Sequence, residues 1–354
     1  MEVGPQGMCC DSLYIGMQNT LKMLELMITG GVCLRTGDKV NAFKADKGLS
    51  AYNDFESFYK DFIGEATRLT HIFLKRQDFY NEYAKKARPS YMLSCLVDDC
   101  IERGRNMHEG GARYHDDGGT HLALPDVADC LMAIKKAVFD DKICTASELI
   151  SALKADFKGY EALQAKLCKL PKYGIDNQEA DEMAARVMSD FSDMYLSYKT
   201  AHGGKGMPTI LTFVFAPQAS AILGASANGQ NAGKLISHGV TPATASMIDG
   251  VTAAINSASK MPFDKFAGGA STMWDFDSAW VNEDLVNAIL KTFIAKGGQI
   301  FQGNTTSVDD LIAALENPDG YKHLIVRVGG YSARFVTLEE DLQKEVISRI
   351  RHKH

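Results

Sequence analysis

The sequence predicts an α/β fold whose glycine-rich loops carry its chemistry. Three observations lead there. Apolar residues recur at helical spacing through the first part of the chain. After His202 the texture turns to Gly, Ala, Ser and Thr with short apolar runs. Near the end, a β-branched run, HLIVRV at 323–328, meets a pair of glycines. Helices followed by short strands between helices are the mixture expected of an α/β architecture.

The elements can be justified in order. At 19–28, NTLKMLELMI has helical spacing, and Gly30-Gly31 supplies the stop. A long amphipathic helix is predicted over 55–86, ended by Pro89. Residues 92–103, MLSCLVDDCIER, read as helix and run into a loop rich in Gly, His and Asp at 104–125. Further helices are predicted at 126–139, 146–168 and 178–200. Past His202 the run TILTFVF suits a strand, and helical texture returns at 283–296 and 307–316. HLIVRV reads as a buried strand, and a charged helix at 338–351 closes the chain. Glycine-rich loops between such elements are where functional groups concentrate.

Composition narrows the function classes. With 354 residues, 45% hydrophobic and 23% charged, the chain can bury a sizeable core as one large domain or two ordinary ones. A formal net charge of -6, with no cluster of Lys and Arg among aromatics, argues against a nucleic-acid partner. The first residues lack the basic start and apolar run of a signal peptide, and no stretch is long and apolar enough to cross a bilayer. The expected location is the cytoplasm, with no membrane partner.

Eight cysteines, at 9, 10, 33, 95, 100, 130, 144 and 168, form no CxxC pair and no zinc-type spacing with histidine. Cys33, Cys95, Cys100, Cys130, Cys144 and Cys168 read as small buried hydrophobes. Cys9-Cys10 differ, because they sit in a short loop-like stretch outside any periodic apolar pattern. His108, His115 and His121 are irregularly spaced and read as part of a solvated loop rather than a metal site. Trp274 and Trp280 read as core or rim aromatics. The glycine runs at 202–206 and 224–233 lack the strand–GxGxxG–helix or Walker context, so nucleotide binding is not expected.

The most specific segment is IVRVGGYSARF at 325–335. A bare Gly-Gly is ordinarily a tight turn. Here Arg327 precedes it, Tyr331, Ser332 and Ala333 follow directly, and the C-terminus is near. The segment resembles the RVxGY(S/A)xxF signature of the glycyl radical enzymes. Further blocks resemble the same family in the same order: 94–114 ending in Gly-Gly-Ala-x-Tyr, 128–141, LPKYGIDNQEAD at 170–181, 224–261, and GGQIFQGNTT at 297–306. On that resemblance the glycine before the tyrosine, Gly330, carries a radical. The chemistry requires glycine there: an α-carbon radical delocalised between amide nitrogen and carbonyl must be planar, and a Cβ would crowd that plane.

The resemblance also implies the C-terminal half of a ten-stranded β/α barrel with a glycine-radical hairpin loop. It divides the chain into a pyruvate formate-lyase-type catalytic region at 1–223, with a thiyl loop at 7–11, and a glycine radical domain at 224–354. Family members hold a catalytic cysteine on a second loop, ahead of a helix, and the candidate here is Gly7-Met8-Cys9-Cys10-Asp11. Sulfur suits the relay because its S–H bond is close in strength to activated C–H bonds. Dehydratases, amine lyases and arylacetate decarboxylases of the family usually show Gly-Cys-x-Glu. Asp11 follows Cys9 with that gap, so Cys9 as thiyl and Asp11 as base is one reading. An adjacent Cys-Cys, as in pyruvate formate-lyase, is another, with Cys9 the nucleophile and Cys10 the hydrogen relay, and the missing glutamate also fits family members that add fumarate to hydrocarbons.

Members of the family are typically much longer. The sequence is therefore expected to act with a separate N-terminal half or as a homo-oligomer, or to be a fragment. The activity implied is that of a radical lyase on a small organic metabolite. Formate C-acetyltransferase-like acyl transfer and a non-catalytic spare-part subunit are the alternatives. No bound cofactor is implied; a separate radical S-adenosylmethionine enzyme with a 4Fe–4S cluster would install the glycyl radical.

Overall fold

The computed structural model describes residues 14–349, apart from 213, 244, 245, 277, 279 and 280. Cys9, Cys10, Asp11 and Trp280 therefore lie outside the described residues.

Among the described residues, five parallel strands run in chain order. β1 (Tyr14–Asn19) pairs with β2 (Asp117–Leu122), and β2 with β3 (Gly206–Thr209). β4 (Ser271–Phe276) pairs with β5 (Ile300–Thr305) in register from Ser271↔Ile300 to Phe276↔Thr305. A parallel bridge, Ile210↔Ala270, joins the two groups; Ile210 N–H donates to Gly269 O at 3.0 Å and Ser271 N–H to Ile210 O at 3.1 Å. Parallel strands need crossover connections, and helices supply them here. Thr20–Thr29 follows β1, Leu124–Ile134 follows β2, Glu283–Ala295 lies between β4 and β5, and Val308–Glu316 follows β5.

One face of this sheet is backed by helices. Phe55–Ala87 begins where Asp54 accepts the Ser57 N–H at 2.8 Å, an N-cap that satisfies a donor left over from the first turn. Its apolar stripe, with Phe58 and Phe62, packs on the helix Gln178–Leu196, where Phe62 meets Phe191 at 6.0 Å. Tyr195, on that second helix, donates its hydroxyl to Gln18 of β1 at 2.9 Å and lies edge-on to His121 of β2 at 4.7 Å. Farther along, Trp274 of β4 stacks on Phe301 of β5 and shares a buried cluster with Ala254, Ile255 and Ile289. Because side chains alternate along a strand, Met273, Asp275, Gln302 and Asn304 face the other way.

Several sequence expectations need correction. The helix predicted at 92–103 is two single turns, Tyr91–Ser94 and Cys100–Arg103, broken where Asp99 takes φ +73. The helix predicted at 146–168 divides into Ala146–Lys154 and Glu161–Cys168, because Asp156 and Phe157 adopt φ +51 and +59. Among the described residues of TILTFVF, only Thr209 belongs to a strand, and Ile210 adds a single bridge. The loop at 104–125 contains β2, so His121 is a fully buried strand residue rather than a solvated one, its pKa pushed down to about 3 by burial. His108 is buried as well, with its Nδ1 3.2 Å from Asn81 Oδ1. Of the cysteines expected to be buried, Cys95 and Cys168 are exposed.

Candidate active site

The glycine signature folds as an antiparallel hairpin. β6 (Ile325–Arg327) pairs with β7 (Ser332–Arg334), and Val328 N–H donates to Tyr331 O at 2.9 Å to close the tip over Gly329-Gly330. Gly330 has φ +87, a conformation that L side chains rarely adopt, so a glycine is needed here for the backbone alone. Alternation divides the hairpin's residues. Val326, with Val328 and Phe335 beside the strands, is fully buried against Leu311, Ala314 and Val346, whereas Ile325 and Tyr331 are exposed. The apolar cluster fixes the stem, and the tip is left for polar contacts.

Two contacts hold that tip. The first comes from β5. Stacking of Phe301 on Trp274 directs Phe301 to the helical side, which turns Gln302 to the opposite face. There its Oε1 accepts the Gly330 N–H at 2.7 Å. The second comes from the C-terminal helix Glu340–Arg349. Arg349 donates to Arg327 O at 3.1 Å and to Val328 O at 2.8 Å, gripping the two carbonyls that precede the glycine pair.

Arg349 is itself clamped. Its Nε donates to Glu345 Oε1 at 2.6 Å and its Nη2 to Glu345 Oε2, a bidentate pair one helical turn apart. Both side chains are almost wholly buried, and His238 Nε2 lies 2.5 Å from Glu345 Oε1. Burial pushes the Glu345 carboxyl up, but His238 and Arg349 prevail and bring it down to about 2. A small cavity of about 40 Å³ lies beside this cluster, lined by His238, Trp274, Asp275 and Arg349 among others. Burial pushes the Asp275 carboxyl up, while Asn304 donates to it at 3.0 Å.

His238 is placed by a pinned loop. Ser237 N–H and hydroxyl donate to Asp126 Oδ2 at 2.9 and 2.6 Å, and Val240 N–H donates to Ser271 O at 2.7 Å. Gly239 lies so near β4 that a Cβ would come within 2.1 Å of Ser271 O. One helical turn beyond Asp126, Asp129 accepts Tyr173 N–H at 2.8 Å and the Ser246 hydroxyl at 2.7 Å. Two carboxylates on the helix after β2 thus fasten the loops that precede β4.

Of the residues singled out in the sequence, Gly330 sits at this tip, whereas Cys9, Cys10 and Asp11 fall outside the described residues. Gln302, Glu345, Arg349 and His238 were not singled out. The Glu345/Arg349 spacing of four was the available signal, but on a charged helix it reads as an ordinary surface pair. No group of His, Cys, Asp and Glu among the described residues could hold a metal ion. No described helix is long and apolar enough to cross a membrane.

Comparison with known proteins places these features in a family. The family described as pyruvate formate lyase-like matches residues 1–216, and the one described as glycine radical matches 236–336. The chain belongs to the glycyl radical enzymes of the pyruvate formate lyase-like family. The trans-4-hydroxy-L-proline dehydratase of Clostridioides difficile is 31% identical over 346 residues, which are 94% of this chain and 43% of that protein. The (2S)-3-sulfopropanediol dehydratase of Klebsiella oxytoca is 28% identical over 354 residues, 96% of this chain and 42% of that protein. Among solved structures, the glycerol-bound B12-independent glycerol dehydratase from Clostridium butyricum superposes with a TM-score of 0.92 at 27% identity, over 98% of this chain and 44% of that one. The chain thus spans less than half the length of these relatives.

Proposed function

We propose that this chain is the C-terminal half of an anaerobic, cytoplasmic glycyl radical lyase acting on a small hydroxylated metabolite, with the radical stored on Gly330. The observation that carries this reading is the Gly330 tip, held at φ +87 on the sheet face opposite the helices, its N–H donated to Gln302. The dehydratases among the relatives support elimination of water as the reaction class.

In this reading a hydrogen atom leaves the Gly330 α-carbon during activation by a separate radical S-adenosylmethionine enzyme. A cysteine thiol, Cys9 or Cys10, then gives its hydrogen atom to that carbon and becomes a thiyl. The thiyl takes a hydrogen atom from a substrate carbon that bears a hydroxyl. The neighbouring hydroxyl leaves as water after protonation, while Asp11, as base, takes the proton of the retained hydroxyl. Return of the hydrogen atom from sulfur to the product radical regenerates the thiyl, which takes back the hydrogen atom of the Gly330 α-carbon, so the thiol and the glycyl radical are both restored.

Five parallel strands in chain order support half of a ten-stranded barrel, and the Gly330 hairpin supports a glycine radical domain at 224–354 after a catalytic region at 1–223. Among the described residues, β1 and β5 each pair with a single neighbouring strand, which leaves two sheet edges for further strands to complete.

Anaerobic electron paramagnetic resonance tests the reading, after incubation with a radical-activating enzyme and S-adenosylmethionine. A doublet organic-radical signal that disappears in Gly330→Ala is expected. A folded chain that gives no signal, beside a family member that does, would sink it. Cys9→Ala and Cys10→Ala then separate relay from acyl transfer: relay needs one cysteine, acyl transfer both.

A further inference from the structure

Gly330 can exchange a hydrogen atom with a cysteine only if its α-carbon is held within a fraction of an ångström of one position. The apolar stem of the hairpin does not achieve that, because the buried apolar side chains of its first strand stop at Val328, before the tip. Past that point the backbone is held through the carbonyls of Arg327 and Val328 and the N–H of Gly330. The two carbonyls share one owner, the guanidinium of Arg349.

A planar guanidinium presents donors in a rigid fork and can serve a carboxylate on one edge and carbonyls on the other. Arg349 does this: Glu345 takes its Nε and Nη2, and Nη1 and Nη2 reach the hairpin. A buried guanidinium without its carboxylate would be an uncompensated charge, so Glu345 sets whether Arg349 can remain there. Glu345 in turn is met by His238 from the loop that Asp126 fastens to the helix after β2. The hairpin tip is thereby referenced to the sheet through side chains from three separate parts of the chain.

We propose that Arg349, clamped by Glu345 and His238, is a positioning residue for the radical glycine: it fixes the Gly330 tip so that hydrogen transfer with the catalytic cysteine can occur. The proposal rests on the reading of Gly330 as radical site. It adds that the last helix acts as a clasp on the hairpin.

Amide hydrogen–deuterium exchange on the full chain tests the clasp without any radical. In Arg349→Ala, amides of 325–334 should exchange at least about tenfold faster, since charge-assisted hydrogen bonds to two carbonyls are lost. Amides of the helix Leu124–Ile134 should keep their protection. Arg349→Lys, which retains charge but reaches fewer partners, should fall between. If Arg349→Ala loses protection everywhere, Glu345→Gln decides, because it keeps shape and removes only the charge. Hairpin amides exchanging at the wild-type rate in Glu345→Gln and Arg349→Lys would overturn the clasp.

A second readout follows the transfer itself. In D₂O a thiol hydrogen becomes deuterium, and its return to Gly330 should collapse the doublet by replacing the α-hydrogen. Arg349→Lys should slow that collapse by about tenfold at equal initial radical content. Collapse at the wild-type rate would count against the proposal. Absence of any doublet in the wild type would instead refute the radical reading, and the clasp would then stand or fall on hydrogen exchange alone.

Discussion

The backbone N–H of Gly330 donates to the side-chain oxygen of Gln302 at 2.7 Å, tying the tip of one sheet to the middle strand position of another. Gln302 can do this because the Trp274–Phe301 stack turns its side chain away from the helices. Replacing it with leucine removes the acceptor and keeps the size. Gln302→Leu should shorten the anaerobic lifetime of the Gly330 radical by about fivefold, the equivalent of one net hydrogen bond. Decay of the doublet with time measures it, and an unchanged lifetime would mean the contact does not restrain the tip.

Gly330→Ala should cost stability apart from any loss of radical. At φ +87 an L residue is strained by about 1–2 kcal/mol. Urea unfolding monitored by circular dichroism would show that loss. An alanine variant as stable as the parent would mean the tip relaxes freely into another conformation.

Asp129 makes stability depend on pH. Burial pushes its carboxyl up to about 7, against the hydrogen bonds from Ser246 and Tyr173. Between the unfolded value of about 4 and that folded value, the folded chain holds a proton that the unfolded chain releases. This contribution is therefore fully present below about pH 4 and is lost as pH rises through about 7. Asp129→Asn should flatten the fall in unfolding midpoint between about pH 4 and 7, because an amide does not titrate. An equally steep profile in the variant would place the titrating group elsewhere.

Cys33 should be more reactive than its burial suggests. Burial pushes the thiol up, but hydrogen bonds from Thr36, with Lys22 and Arg35, outweigh it and bring the thiol down; Lys22 Nζ stands 3.2 Å from the sulfur. Lys22→Met and Thr36→Val should each move the midpoint of the pH–alkylation curve upward. Mass spectrometry of iodoacetamide labelling at Cys33 would report it, and a midpoint unmoved by both changes would refute the assignment.

How much of this was legible in the sequence differs by element. Phe55–Ala87 could be read almost to the residue, because an apolar stripe and Pro89 mark it. The glycine hairpin was legible as a signature, but of HLIVRV, expected as a buried strand, only Ile325–Arg327 pairs, and within it only Val326 is buried. β2 was not legible. DGGTHL is buried at every position, and a parallel strand covered on both faces shows no alternation to read. TILTFVF has the composition of a strand, but pairing centres on Gly206–Thr209, where Pro208 already argues against one. In the Arg349–Glu345–His238 cluster, His238 and Glu345 stand 107 positions apart, and no local pattern carries such a contact.

The proposed clasp on Gly330 lies in the helix Glu340–Arg349, beyond the hairpin it restrains. A protease cut in the short exposed link at Glu339 would leave every strand and the whole signature covalently intact. It would nevertheless detach the peptide that carries Arg349. A chain nicked there would retain Gly330 and, on the proposed reading, lose the means of aiming it, a failure that sequence coverage alone would never disclose.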